Sequence, residues 1–213
     1  MSDFNIWEGV YSGFAEAPGE ASVTGDGRGG FEGPEWLGKS IARAEAGRAG
    51  LAATSPTLKT AGLSREYPLA LVTALAHEGT RALRILDFGG GIGNSFPAVR
   101  AALPRARALA FHCVETAQLC AEGRTLFRDF PEIVFHESLA QVPRPVDIVH
   151  AGSALHYVAD WTGLVGQLLA FRPRYLVLSD VPAGDVPTFV SIQNYYDRKI
   201  KHWFWNLGEF VGR

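Results

Sequence analysis

An α/β fold, in which a mostly parallel sheet carries helices on both faces behind a helical N-terminal extension, is predicted by three observations. From Ala82 onward, short apolar runs rich in β-branched and aromatic residues alternate with helix-patterned segments. The intervals are long enough for crossovers, so neighbouring strands pair in parallel through right-handed βαβ units. The first run also ends in three glycines at alternate positions just before a helical segment, which is where open α/β sheets take a ligand.

Residues 1 to about 33 hold aromatic punctuation, Trp7, Tyr11 and Phe14, and then a glycine-rich run at 25–30. No strand precedes that run and no Gly-Lys-Ser/Thr follows it, so it reads as a mobile loop and not as a phosphate cradle. A helix opens at Pro34, with Pro at a first helical position and Trp36, Leu37 and Ile41 on one face. A second is expected from Ser64 to near Gly79, carrying Leu69, Val72 and Leu75 inward; Pro68 fits only in its first turn. Strands follow at 82–88, 109–115, 133–136, 146–151 and 175–180, with helices at 96–103, 117–127 and 161–171. The expected sheet order, counting these strands from one to five, is 3-2-1-4-5. The chain therefore divides into an N-terminal cap with helices, 1–80, and an α/β core, 81–213.

Composition narrows the function. Twenty basic against twenty-two acidic residues leave a net charge of -2, so no positive field announces a nucleic-acid or anionic-membrane partner. A 47% apolar fraction supports a sizeable core and excludes wholesale disorder. The start lacks a signal-peptide pattern and the best apolar stretch, 69–76, is too short to cross a bilayer, which places the chain in the cytoplasm. Cys113 and Cys120 have no Cys or His at metal-ligand spacing and read as buried thiols, so no metal is expected.

The strongest chemical signal runs from Ile85 to Ser95: an apolar strand enters Asp87-Phe88, and glycines stand at 89, 91 and 93, with Gly90 between. A dinucleotide fingerprint begun at Gly89 would need glycine where Asn94 stands, and a phosphate loop would need a lysine that is absent. The pattern Asp-x-Gly-x-Gly-x-Gly resembles the first motif of class I S-adenosylmethionine-dependent methyltransferases, which implies a Rossmann-like fold and that cofactor. The cofactor carries a sulfonium and an ammonium group and no phosphate, so an acid at the strand end suits it. The resemblance implies cofactor contacts at Asp87, Phe88, Gly89, Gly90, Gly91, Asn94 and Ser95. Glu115, twenty-two residues beyond Gly93, can accept hydrogen bonds from both ribose hydroxyls, with Thr116 beside it. Ser138 and Leu139 fall where the family flanks adenine, and Ser153 and Ala154 fall under its methionine portion. His156 is the candidate catalytic residue, since an imidazole could take a proton from an oxygen or nitrogen acceptor. Direct displacement can also run on positioning alone. His150 reads as a buried structural residue.

Further aromatic stretches, Trp7-Glu8-Gly9-Val10-Tyr11, Tyr67-Pro68, 191–196 and His202-Trp203-Phe204-Trp205-Asn206, resemble a little-characterised bacterial methyltransferase subfamily over most of the chain. His156 stands where that pattern has Gln. The resemblance implies a small-molecule or glycan acceptor, while the near-neutral charge and the lack of an Asn/Asp-Pro-Pro-Tyr/Phe loop after the fourth strand argue against a nucleic acid, and the short apolar stretches against a membrane. A nicotinamide-dependent oxidoreductase and a non-catalytic S-adenosylmethionine-binding module remain as alternatives. Family members normally end with an antiparallel pair completing a seven-stranded sheet. Here 33 residues follow Asp180, the extended run 188–193 comes too soon to be a parallel neighbour, and Asn206-Leu207-Gly208-Glu209 reads as a capping box. The expectation is a truncated chain lacking that pair, its fifth strand an edge that a second copy could join as a homodimer unless 188–196 or the N-terminal region covers it.

Overall fold

The computed structural model describes residues 5–19, 31, 33–52, 67–76, 82–104, 107–196 and 198–212. The glycine-rich run at 25–30 and both expected ends of the second helix, Ser64 and Gly79, lie outside the described residues. Along the chain, β1 (Trp7–Tyr11) precedes α1 (Pro34–Ala52) and α2 (Tyr67–Ala76). Then come β2 (Leu83–Phe88), α3 (Phe96–Ala101), β3 (Leu109–Val114), α4 (Ala117–Leu126), β4 (Ile133–His136), β5 (Ile148–Gly152), α5 (Trp161–Leu169) and β6 (Tyr175–Ser179). The end of the chain holds β7 (Ala183–Gly184), β8 (Phe189–Tyr195), β9 (Arg198–Asn206) and α6 (Leu207–Val211).

Period-two alternation along the parallel strands feeds two apolar clusters, one on each sheet face. Leu83, Ile85, Phe111, Cys113, Ile133 and Ile148 pack with α1, α3 and α4 residues such as Ala44, Phe96 and Leu119. Leu86, Phe88, Val114, Val149 and Ala151 pack with Leu164 and Leu168 of α5. Each large side chain so buried contributes about 1.5–3 kcal/mol. The sheet order is β4-β3-β2-β5-β6, all parallel, which is the expected 3-2-1-4-5 counted from β2. This is a Rossmann-like sheet, and its order reverses between β2 and β5.

Two expectations need correction. Leu75 is 62% exposed, while Leu69, Thr73 and Ala76 are buried. Six residues at 100° each put Leu75 about 240° around the helix from Leu69, off the stripe. Residues 181–213 do contain an antiparallel pair, β8 with β9, but it builds a second sheet of order β1-β8-β9-β7 and does not extend the first. Asp180 at φ 53 and Pro182 turn the chain out of the main sheet as β6 ends. In the hairpin, Val190, Ile192 and Ile200 face inward, Tyr195 pairs with Arg198, and Tyr196 takes φ 53 as β8 ends. β1 pairs antiparallel with β8 and shifts register between Glu8 and Tyr11, where Gly9 takes φ 75. Trp205, 1% exposed, carries the second sheet into the α5-side core. The capping box forms with a bridge. Asn206 Oδ1 accepts from Glu209 N, while Thr188 Oγ1 accepts from Asn206 N and donates to Glu209 Oε2. Among the described residues no strand pairs with the outer edge of β6, and no helix is long and apolar enough to cross a membrane.

Candidate functional site

The sheet order reverses between β2 and β5, and the loops leaving these two strands, 89–95 and 153–157, stand side by side at their carboxyl ends, where an open α/β sheet takes a ligand. The first loop needs its glycines. Gly89, Gly91 and Gly93 adopt φ of 69, 60 and 89, in the left-handed region. A Cβ on Gly89 would lie 2.6 Å from the Ala154 Cβ, so the two loops touch there. A Cβ on Gly90 would lie 2.5 Å from Asp87 Oδ2, so the loop backbone rests on that carboxylate.

The loop's amides are largely committed. Gly89 N donates to Val114 O, Gly93 N and Asn94 N both donate to Gly90 O, and Gly91 N donates to Glu115 Oε1 at 3.1 Å. Glu115 Oε2 accepts from Thr116 N at 2.9 Å, which fixes the carboxylate over the loop at the end of β3. Asn94 Nδ2 donates to Ser40 Oγ of α1, and Trp36 lies 3.7 Å from a Cβ built on Gly91, so α1 lies against the loop. Asn94 Oδ1 and Thr116 Oγ1 are buried polar atoms without a hydrogen-bond partner.

Beneath the loop, Asp87 is 1% exposed and both its oxygens are engaged: Oδ2 accepts from Ser95 Oγ, and Oδ1 faces His150 Nδ1 at 2.7 Å. His150 is buried as expected, and its Nε2 lies 2.9 Å from Ser179 Oγ. Cys113 and Cys120 are free and buried; burial raises the Cys113 thiol well above its ordinary value and the Cys120 thiol to about 11.

On the opposite side, Ser153 takes φ 55, and Ala154 and His156 are buried. The His156 ring lies 4.2 Å from those of Tyr157 and His202. Burial first, and His202 second, push His156 down to about 3; burial likewise pushes His202 to about 4. Tyr157 donates to Gln193 Oε1, and Phe31 meets the rings of Trp36, Tyr157 and Tyr195, so an aromatic wall joins α1 and the second sheet. Ser138 is exposed at the end of β4, and Leu139 packs against the α5-side cluster.

The structure thus brings Asp87, Phe88, Gly89, Gly90, Gly91, Asn94, Ser95, Glu115, Thr116, Ser153 and Ala154 to the carboxyl ends of β2, β3 and β5, with Ser138 and Leu139 at the end of β4. Sequence reasoning missed Trp36 and Ser40 as neighbours of the glycine loop, and Phe31 as the ring between Trp36 and Tyr157. Trp36 and Ser40 stand four apart on α1, a spacing that marks a shared face without saying what it meets.

No protein-family model and no curated protein matches the chain. Solved structures align with it. The plantazolicin methyltransferase BpumL, in complex with S-adenosylhomocysteine (SAH), aligns at 10% identity and a TM-score of 0.40, over 64% of this chain and 56% of that one. The N-terminal domain of EvdMO1 with SAH bound aligns at 12% and 0.48, over 70% and 69%. Phosphoethanolamine N-methyltransferase 1 of Haemonchus contortus, in complex with phosphoethanolamine and SAH, aligns at 15% and 0.39, over 67% and 29%. The chain therefore spans less than two thirds of the first and third of these proteins.

Proposed function

We propose that this chain is an S-adenosylmethionine-dependent methyltransferase whose cofactor lies across the ends of β2, β3 and β5. One observation carries the reading: the amides of Gly89, Gly91, Gly93 and Asn94 are all spent on Val114, Glu115 and Gly90 of this chain, and a carboxylate, Glu115, sits over the loop. A pyrophosphate would have to displace those bonds and face a like charge, so a dinucleotide fits poorly. A ligand carrying hydroxyls and cationic groups fits, because a carboxylate attracts cationic groups and accepts hydrogen bonds from hydroxyls. Asn94 Oδ1, at the end of the glycine loop, and Thr116 Oγ1, on the residue after Glu115, are both buried without a partner.

In this reading Glu115 holds the ribose, and Gly89, Gly90 and Gly91 give close backbone approach. Phe88, Asn94, Ser95 and Thr116 line the same turn, Ser138 and Leu139 flank the adenine, and Ser153 and Ala154 carry the methionine portion. Asp87, fully enclosed, acts through the loop that rests on it. The bound cofactor supplies an activated methyl group. The chain's own contribution is to hold an oxygen or nitrogen of a small molecule or glycan in line with it, which can lower a barrier by about 7–11 kcal/mol. His156, held near 3 by burial, is neutral at pH 7, and with Tyr157 and His202 it shapes the acceptor side. Residues 1–80 supply the cap of this site through α1, and 81–213 the core.

Calorimetric titration of SAH into Gly91→Val and Glu115→Ala tests the site. Both variants should lose affinity while remaining folded; unchanged affinity in both would remove the basis of the reading.

A further inference from the structure

Three buried polar side chains at the ends of β2, β5 and β6 make a continuous hydrogen-bonded line beneath the proposed site. Ser179 Oγ lies 2.9 Å from His150 Nε2, and His150 Nδ1 lies 2.7 Å from Asp87 Oδ1. Ser95 Oγ closes the line on Asp87 Oδ2, just ahead of α3. Ser179, His150, Asp87 and Ser95 are 9%, 5%, 1% and 5% exposed. We propose that Asp87, His150 and Ser179 are positioning residues that lock the glycine loop to the 153–157 loop, so that S-adenosylmethionine binding depends on them. The inference rests on the function proposed above.

Stability alone does not explain the line, since apolar side chains of similar size hold strand ends together as well or better. What a polar line adds is direction. Hydrogen bonds at both ring nitrogens, to Asp87 Oδ1 and to Ser179 Oγ, fix the orientation of the His150 ring.

Both loops rest on the line. Gly90 packs its Cα against the Asp87 carboxylate, and Cys113 Sγ beside it donates to Gly91 O. On the other side, a Cβ on Gly152 would meet His150 Cε1 at 2.6 Å and Ser179 Oγ at 3.0 Å, so this glycine sits on both side chains. Ser153 N donates to Ser179 O at 3.0 Å, holding the residue whose φ of 55 starts the second loop, and Ala154 follows against Gly89. A displaced His150 would therefore release both loops. The same Ser-His-Asp connectivity serves acyl transfer elsewhere, but it then needs a serine open to a carbonyl. Here the Gly152 backbone lies against the Ser179 hydroxyl, which leaves positioning as the role.

The experiment compares SAH affinity and thermal midpoint in wild type, Glu115→Ala, His150→Leu and His150→Asn, with histidine NMR on the intact wild-type chain. His150→Leu should bind SAH about ten-fold more weakly or worse, the scale of one charge-assisted hydrogen bond. His150→Asn, whose amide can still donate to Asp87, should recover affinity to within about three-fold of wild type. In wild type the His150 Hδ1 resonance should be protected from exchange and should move when SAH is added. If wild type binds SAH and Glu115→Ala weakens it, yet His150→Leu binds like wild type, the relay is overturned while the proposed function stands. An Hδ1 signal that SAH leaves unmoved overturns it as well, even if His150→Leu does not fold. Wild type that binds no SAH brings down the functional reading itself.

Discussion

The contact between Gly89 and Ala154 makes the closeness of the two loops measurable. Gly89→Ala places a side chain at φ 69, which costs about 1–2 kcal/mol for an L-residue. It also sets a methyl 2.6 Å from the Ala154 methyl, an overpacking that costs about 1–3 kcal/mol. The sum, about 2–5 kcal/mol, corresponds to a fall of roughly 4–20 °C in thermal midpoint for a chain of this size. Ala154→Gly alone loses one buried methyl, about 0.8 kcal/mol, and adds a few tenths or more of unfolded-state entropy. In the double variant the backbone strain persists but the collision disappears, so the two changes should couple favourably by about 1–3 kcal/mol. Urea unfolding of the four proteins, compared at constant denaturant slope, measures this directly. Effects that add to within about 0.5 kcal/mol would show that the loops do not touch at this point.

Three other outcomes follow from the same geometry. Glu115→Ala should weaken SAH binding about ten- to a hundred-fold or more, since hydrogen bonds to a charged group are worth about 1.5–3 kcal/mol each; calorimetry at fixed salt reads it. His112, His156 and His202 are held at about 4, 3 and 4, below the ordinary value near 6.5, chiefly by burial. Below pH 6.5 the unfolded chain takes up protons that the folded one refuses, so the contribution of these histidines is flat above that pH and falls as pH drops from about 6.5 towards 4. Each histidine adds about 1.4 kcal/mol per pH unit to the slope. His202→Gln should flatten it by at least one such share in urea titrations at pH 5 and 7, and an unchanged slope would refute the assignment. Asn206→Ala should cost about 1 kcal/mol by uncapping α6, read as a lower urea midpoint.

The main sheet was legible because each of its strands is an apolar run with its own boundaries, and crossover length sets the parallel pairing. The glycine loop was legible for a related reason: positive φ at 89, 91 and 93 leaves its mark in residue type. The second sheet was not. Its pairing of Trp7 with Gln193 spans nearly the whole chain, and β1 is short, largely exposed and broken by Gly9, so no local pattern announces it. His150 could be read as buried, but its partners Asp87 and Ser179 lie 63 and 29 residues away, and only the sheet order brings them together. Burial likewise holds the His156 imidazole down near 3, a shift that residue type cannot signal.

The most direct test of the central claim is a paired titration of the wild-type chain with SAH and with NAD at the same ionic strength. A loop with its amides spent and Glu115 over it predicts saturable, stoichiometric SAH binding and no measurable NAD binding. Saturable NAD binding without SAH binding would contradict it.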